Sequence, residues 1–74
     1  MAEPQEQVRR ELLNRLLDAI DNDPYPSITM MDMAEELLNP DEVPEYAGVL
    51  LKKIADEQFP SVSMLTRIRD LALG

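Results

Sequence analysis

The chain has 74 residues, a net charge of −8 and 45% hydrophobic side chains, which describes one small acidic domain. It contains neither cysteine nor histidine, which excludes disulfides, thiolate zinc sites and the commonest general base. No apolar run approaches the ~18 residues of a membrane span, and the first residues lack the basic and apolar regions of a signal peptide. We therefore expect a soluble, cytoplasmic protein without metal or cofactor, stabilised by helix packing or by self-association.

The first predicted helix runs from Glu3 or Pro4 to Asn22. Its apolar residues follow the i, i+3, i+4, i+7 spacing of a buried helical face. That stripe is Leu13, Leu16, Leu17 and Ile20, widened by Val8 and Leu12. The helix ends at residues 22–26, because two prolines in three residues prevent its continuation.

The second predicted helix begins at Ser27, whose hydroxyl can cap a free first-turn N–H, and closes before Pro40. Thr29 with Asp32 offers an alternative cap. The predicted apolar stripe is Met30, Met31, Ala34, Leu37 and Leu38.

The third helix is predicted as a single turn over residues 40–43 followed by a main helix from Pro44, since a proline farther inside would cost a hydrogen bond. Its stripe is Ala47, Leu50, Leu51 and Ile54, with Tyr46 beside them. The fourth helix is predicted to begin at Ser61, after Pro60. Its stripe is Met64, Leu65, Ile68, Leu71 and Ala72.

The second half of the sequence repeats the first at an offset of 34 residues, so that residues 25–37 align with residues 59–71. We interpret this as a duplicated helix–turn–helix unit. The prediction is a single all-α domain over residues 1–74, in which two tandem αα-hairpins, 7–40 and 41–74, form a compact bundle. The Pro26-Ser27 step recurs as Pro60-Ser61, and both steps are assigned the structural role of turn and helix cap.

Charge is unevenly distributed along the chain. From Asp18 to Glu45 there are nine acidic residues and no lysine or arginine. This band is either a solvated face that maintains solubility or a surface for a basic partner. Met33 aligns with Arg67 in the second half, so the fold does not require an apolar residue there. The residues predicted to contact a partner are Ile28, Met30, Asp32, Met33, Glu35 and Glu36.

Catalytic and metal sites are not expected. No base accompanies either Ser27 or Ser61, and the acidic residues 18–23 lack the central glycine of a calcium loop. We therefore predict a non-enzymatic protein-interaction or assembly module that forms a homo-oligomer or joins a larger assembly. One alternative is an acidic inhibitor or decoy that binds the basic surface of a host protein. The other is a helix-turn-helix DNA-binding regulator using Arg67 and Arg69, the least favoured because so few cations are present.

The segments Tyr25-Pro-Ser-Ile-Thr-Met-Met, Phe59-Pro-Ser-Val-Ser-Met-Leu and Tyr46-Ala-Gly-Val-Leu-Leu resemble short helical proteins of unknown function encoded by actinobacterial phages. The resemblance covers most of the chain and brings no activity and no site residues with it. It implies a small virion or assembly component, or a factor acting on a host protein, located in the host cytoplasm or in the virion.

Overall fold

The computed structural model describes residues 3–56 and 61–74. Within these residues the chain forms no strand, one 3-10 turn and four α-helices, which are α1 (Pro4–Asn22), α2 (Ile28–Leu37), the turn Pro40–Glu42, α3 (Val43–Asp56) and α4 (Val62–Leu73). The predicted all-α class with four helices is confirmed, and the duplication stays a prediction. The chain divides into two compact units, Met1–Asn39 with α1 and α2, and Pro40–Gly74 with α3 and α4.

The ends of α1 follow from its flanking residues. Pro4 opens the helix, where its missing N–H leaves no hydrogen bond unmade. The helix ends at Asn22, and the Asp23 amide donates to the Ala19 carbonyl at 3.1 Å. The Asp23 carboxylate then accepts a hydrogen bond from the Tyr25 amide at 2.9 Å. This local turn replaces the helical hydrogen bonds that the two prolines prevent.

The core of the first unit lies between α1 and α2, which are joined by residues 23–27. Its buried side chains are Leu13, Leu16, Leu17, Ile20, Met31 and Ala34. The predicted stripe of α1 is thus confirmed in its centre, but Val8 and Leu12 are exposed. Of the predicted α2 stripe, the side chains outside that core are half-buried, namely Met30, Leu37 and Leu38.

Ser27 is the N-cap of α2 rather than its first residue. Its hydroxyl oxygen accepts a hydrogen bond from the Met30 amide at 3.2 Å. The alternative cap by Thr29 is not needed, because this bond already satisfies a first-turn N–H. Ser61 caps α4 in the same way, accepting from the Met64 amide at 3.1 Å. Pro60, the other predicted turn residue of this step, lies outside the described residues.

The second unit begins as predicted, with a single turn that leads into a longer helix. The 3-10 turn Pro40–Glu42 precedes α3, and Pro44 lies in the first turn of that helix, where it costs no hydrogen bond. The buried side chains on this side are Glu42, Tyr46 and Leu50, spaced four residues apart. They face α4, where Met64 is buried.

The predicted stripe of α3 is wrong by about one residue. Leu51 is 53% exposed, and Ala47 and Ile54 are only half-buried, whereas Tyr46 is completely buried. The physical reason is the size of the tyrosine ring. Burying this ring removes much more apolar area from water than burying the methyl group of Ala47, so the helix turns Tyr46 inward and Leu51 outward.

The predicted stripe of α4 is too wide. Met64 is buried and Ile68 and Leu71 are half-buried, but Leu65 and Ala72 are exposed. The five predicted positions cover roughly a third of the helix circumference. One partner helix, α3, buries only the part of that arc nearest to it. The helix ends at Gly74, whose φ of 87° is a conformation that glycine adopts without strain.

Candidate interaction surfaces

The outward face of α2 carries the residues predicted to contact a partner. Its inward face consists of Met31 and Ala34, both buried. The predicted contact residues are either exposed, as Ile28, Asp32, Met33 and Glu36 are, or half-buried, as Met30 and Glu35 are. The structure therefore leaves four of the six predicted residues on the accessible side of the helix.

These residues do not form one continuous apolar patch. At about 100° per residue, Ile28 and Met33 lie roughly 140° apart around the helix axis. Asp32 and Glu36 occupy the arc between them. The face is thus an acidic ridge with one apolar side chain on each flank, and those flanks are 58% exposed at Ile28 and 41% exposed at Met33. We call this four-residue surface the α2 face.

Arg9 fixes the end of α2 that lies beyond this face. Its Nη1 donates to the carbonyl oxygen of Leu37, the last residue of α2, at 2.7 Å. Its Nε lies 3.0 and 3.1 Å from the two carboxylate oxygens of Glu6. A helix C-terminus leaves its last carbonyls unsatisfied and carries partial negative charge, so a guanidinium there is favourable.

Sequence reasoning missed Arg9 because its partner is 28 residues away along the chain. The available signal was weak. Arg9 is one of three arginines in α1, and α2 has no basic residue in its last turn to serve its own C-terminus. A search for a distant cation would have been needed to connect these two facts.

A second exposed stripe runs along α4. Val62, Leu65, Arg69 and Leu73 recur at i, i+3, i+7 and i+11, which places them on one side of the helix. Val62 and Leu73 are 78% and 80% exposed, and Leu65 is exposed as well. Arg69 pairs with the neighbouring Asp70 carboxylate at 3.2 Å, a surface contact of little strength. We call this four-residue surface the α4 face.

The two faces differ in charge. α2 carries Asp32, Glu35 and Glu36 and no cation, whereas α4 carries two arginines and one aspartate. Among the four helices of the described residues, α4 alone has more basic than acidic side chains. Of its arginines, Arg67 is half-buried and Arg69 is exposed. The strongest negative and the only net positive helix therefore both present exposed apolar side chains.

Neither a metal centre nor a membrane segment emerges from the described residues. No group of three or more acidic side chains within residues 3–56 and 61–74 is arranged to hold a metal ion. None of the helices formed by those residues combines the length and the apolar character that crossing a bilayer requires. Comparisons with protein-family models, curated proteins and solved structures find no match for this chain.

Proposed function

We propose that this chain is a non-enzymatic interaction module that uses the α2 face to bind a protein, either a second copy of itself or a component of a larger assembly. The observation that carries the proposal is the exposure of Ile28 and Met33 on a helix whose buried side already holds Met31 and Ala34. An isolated exposed apolar residue is ordinary, but two that flank one acidic ridge provide both contact area and orientation.

The position of Met33 strengthens this proposal. The equivalent position of α4, 34 residues later, is Arg67, so a capped helix of this type does not need an apolar side chain there. An apolar residue exposed at such a position is better explained by a contact with a partner than by a requirement of the hairpin. Methionine is also well suited to contact surfaces, because its flexible thioether adapts to different neighbours.

The absence of catalysis is proposed on the basis of the two serines. The hydroxyl oxygens of Ser27 and Ser61 accept hydrogen bonds from the Met30 and Met64 amides, which is the role of a helix cap. A serine nucleophile needs instead a base positioned to remove its proton, and the sequence contains no histidine.

The test is the variant Met33→Arg, which installs the residue found at the equivalent position of α4. Binding is measured by light scattering for self-association and by affinity capture from the native host. The control is Asn14→Arg, the same charge change at an exposed position of α1. We expect Met33→Arg to weaken association about tenfold or more and Asn14→Arg to leave it intact. Equal binding by both variants would contradict the proposal, provided that circular dichroism shows both to be folded.

A second candidate function is an acidic inhibitor that binds a basic surface of a host protein. It is favoured by the exposure of Asp32 and Glu36 at the centre of the α2 face, in a helix without cations. Salt distinguishes the two functions, since binding through the acidic ridge alone should weaken steeply with ionic strength. The resemblance to phage proteins supports, for either function, a place in a virion or in the cytoplasm of an infected host.

A further inference from the structure

We propose that the α2 face of one copy of this chain binds the α4 face of a second copy. This inference rests on the proposed function and names its partner. It commits to contact between two different helices, not between two copies of the same helix. The partner's chemistry follows from the charges and exposed side chains that the two helices carry.

Charge complementarity is the first argument. The α2 face presents Asp32 and Glu36, and α2 has no lysine or arginine along its whole length. The α4 face presents Arg69, with its side chain 66% exposed. Opposite charges on two surfaces orient their encounter and suppress pairings that bring like charges together.

Apolar content is the second argument. The α4 face exposes Val62, Leu65 and Leu73 in one stripe, and the α2 face exposes Ile28 and Met33. With a rise of 1.5 Å per residue, the ten residues of α2 span about 15 Å and the twelve of α4 about 18 Å, so the two helices match in length. Packing them side by side would cover apolar surface on both.

Pairing of identical faces is less favourable. Two α2 faces would bring Asp32 and Glu36 of one copy against the same carboxylates of the other, with no cation on either helix to compensate. Two α4 faces would cover apolar surface but would leave the acidic ridge of α2 unused. The arrangement that uses both surfaces is α2 against α4. It closes into a dimer if each copy can make the contact twice, and it extends into a chain if not.

The experiment uses charge reversal on each face. Glu36→Lys should disrupt the α2 face and Arg69→Glu the α4 face, each weakening self-association about tenfold or more. Matched controls reverse the same charges at exposed positions of α1, Glu11→Lys and Arg15→Glu, and should associate like the unmodified protein. Association is measured by light scattering and analytical ultracentrifugation over a wide range of protein concentration, with circular dichroism to verify folding.

Rescue decides the matter. The variant carrying both Glu36→Lys and Arg69→Glu, and an equal mixture of the two single variants, should each recover association, because both restore an opposite-charge pair across the contact. An effect of Arg69→Glu without an effect of Glu36→Lys would indicate pairing of two α4 faces and would overturn the inference. So would a strictly monomeric unmodified protein. If that monomer still captures a foreign protein through Met33, the proposed function stands while this inference fails.

Discussion

Replacing Leu17 and Leu51 by alanine, one at a time, tests whether the two hairpins share a core register. These leucines occupy equivalent positions in the sequence repeat, 34 residues apart. If the repeat determined burial, the two substitutions would cost the same stability. In the structure Leu17 is 6% exposed and Leu51 is 53% exposed. The expected costs are therefore very different.

The magnitudes follow from the burial of each side chain. Truncating a buried leucine to alanine costs roughly 2–5 kcal/mol, the sum of lost transfer free energy and the cavity left behind, and we expect this for Leu17→Ala. Leu51 keeps about half of its side chain in water, so its truncation removes about half of the ~1.5–3 kcal/mol that full burial provides and leaves no enclosed cavity. We expect Leu51→Ala to cost about 1 kcal/mol or less, partly offset by the high helix propensity of alanine.

Urea unfolding followed by far-ultraviolet circular dichroism measures both costs. A domain of this length has a free energy of unfolding of roughly 4–11 kcal/mol, so the loss at Leu17 is easily resolved. The controls are Leu16→Ala and Leu50→Ala, an equivalent pair that is buried on both sides and should lose similar stability. Equal losses at Leu17 and Leu51 would refute the assignment of the α3 register. Fluorescence of the buried Tyr46 provides an independent probe of the second unit.

Three further substitutions test local features, each by the same unfolding assay. Ser27→Ala and Ser61→Ala should each cost about 1 kcal/mol through loss of a helix cap, and replacement of either serine by glycine should cost only a few tenths. Gly48→Ala should stabilise the protein by about 1 kcal/mol, since Gly48 lies inside α3 and an added Cβ meets nothing within 4 Å. Arg9→Met should cost about 1–3 kcal/mol, because the Leu37 carbonyl loses a charged donor while the apolar stem is kept.

Features that depend on neighbouring residues were predictable from sequence. The helix ends at Asn22, Ser27 and Ser61 follow from prolines and cap residues, and all lie within a residue of the prediction. The single turn before Pro44 was predictable for the same reason. Each of these outcomes is decided by the chemistry of a few consecutive residues.

Features that depend on tertiary packing were not predictable in the same way. Periodicity identified an apolar side on α3, but it could not decide between Tyr46 and Ala47 as the centre of the buried arc. The choice depends on how much area α4 can cover. The bond from Arg9 to Leu37 likewise depends on the pairing of α1 with α2, which no local pattern specifies. For the candidate surfaces, sequence identified the α2 face but assigned Leu65 of the α4 face to the core.

The two capped helices act as internal references for each other. Ser27 and Ser61 share the same backbone conformation, φ −65° with ψ 137° and φ −65° with ψ 136°, and each accepts a hydrogen bond from the amide three residues later. The helices that follow differ in charge, since Glu35 of α2 aligns with Arg69 of α4. Because the same cap begins a helix of either charge, helix formation does not dictate the charge. The charges are therefore free to serve recognition, and their opposite signs are what a contact between copies would require.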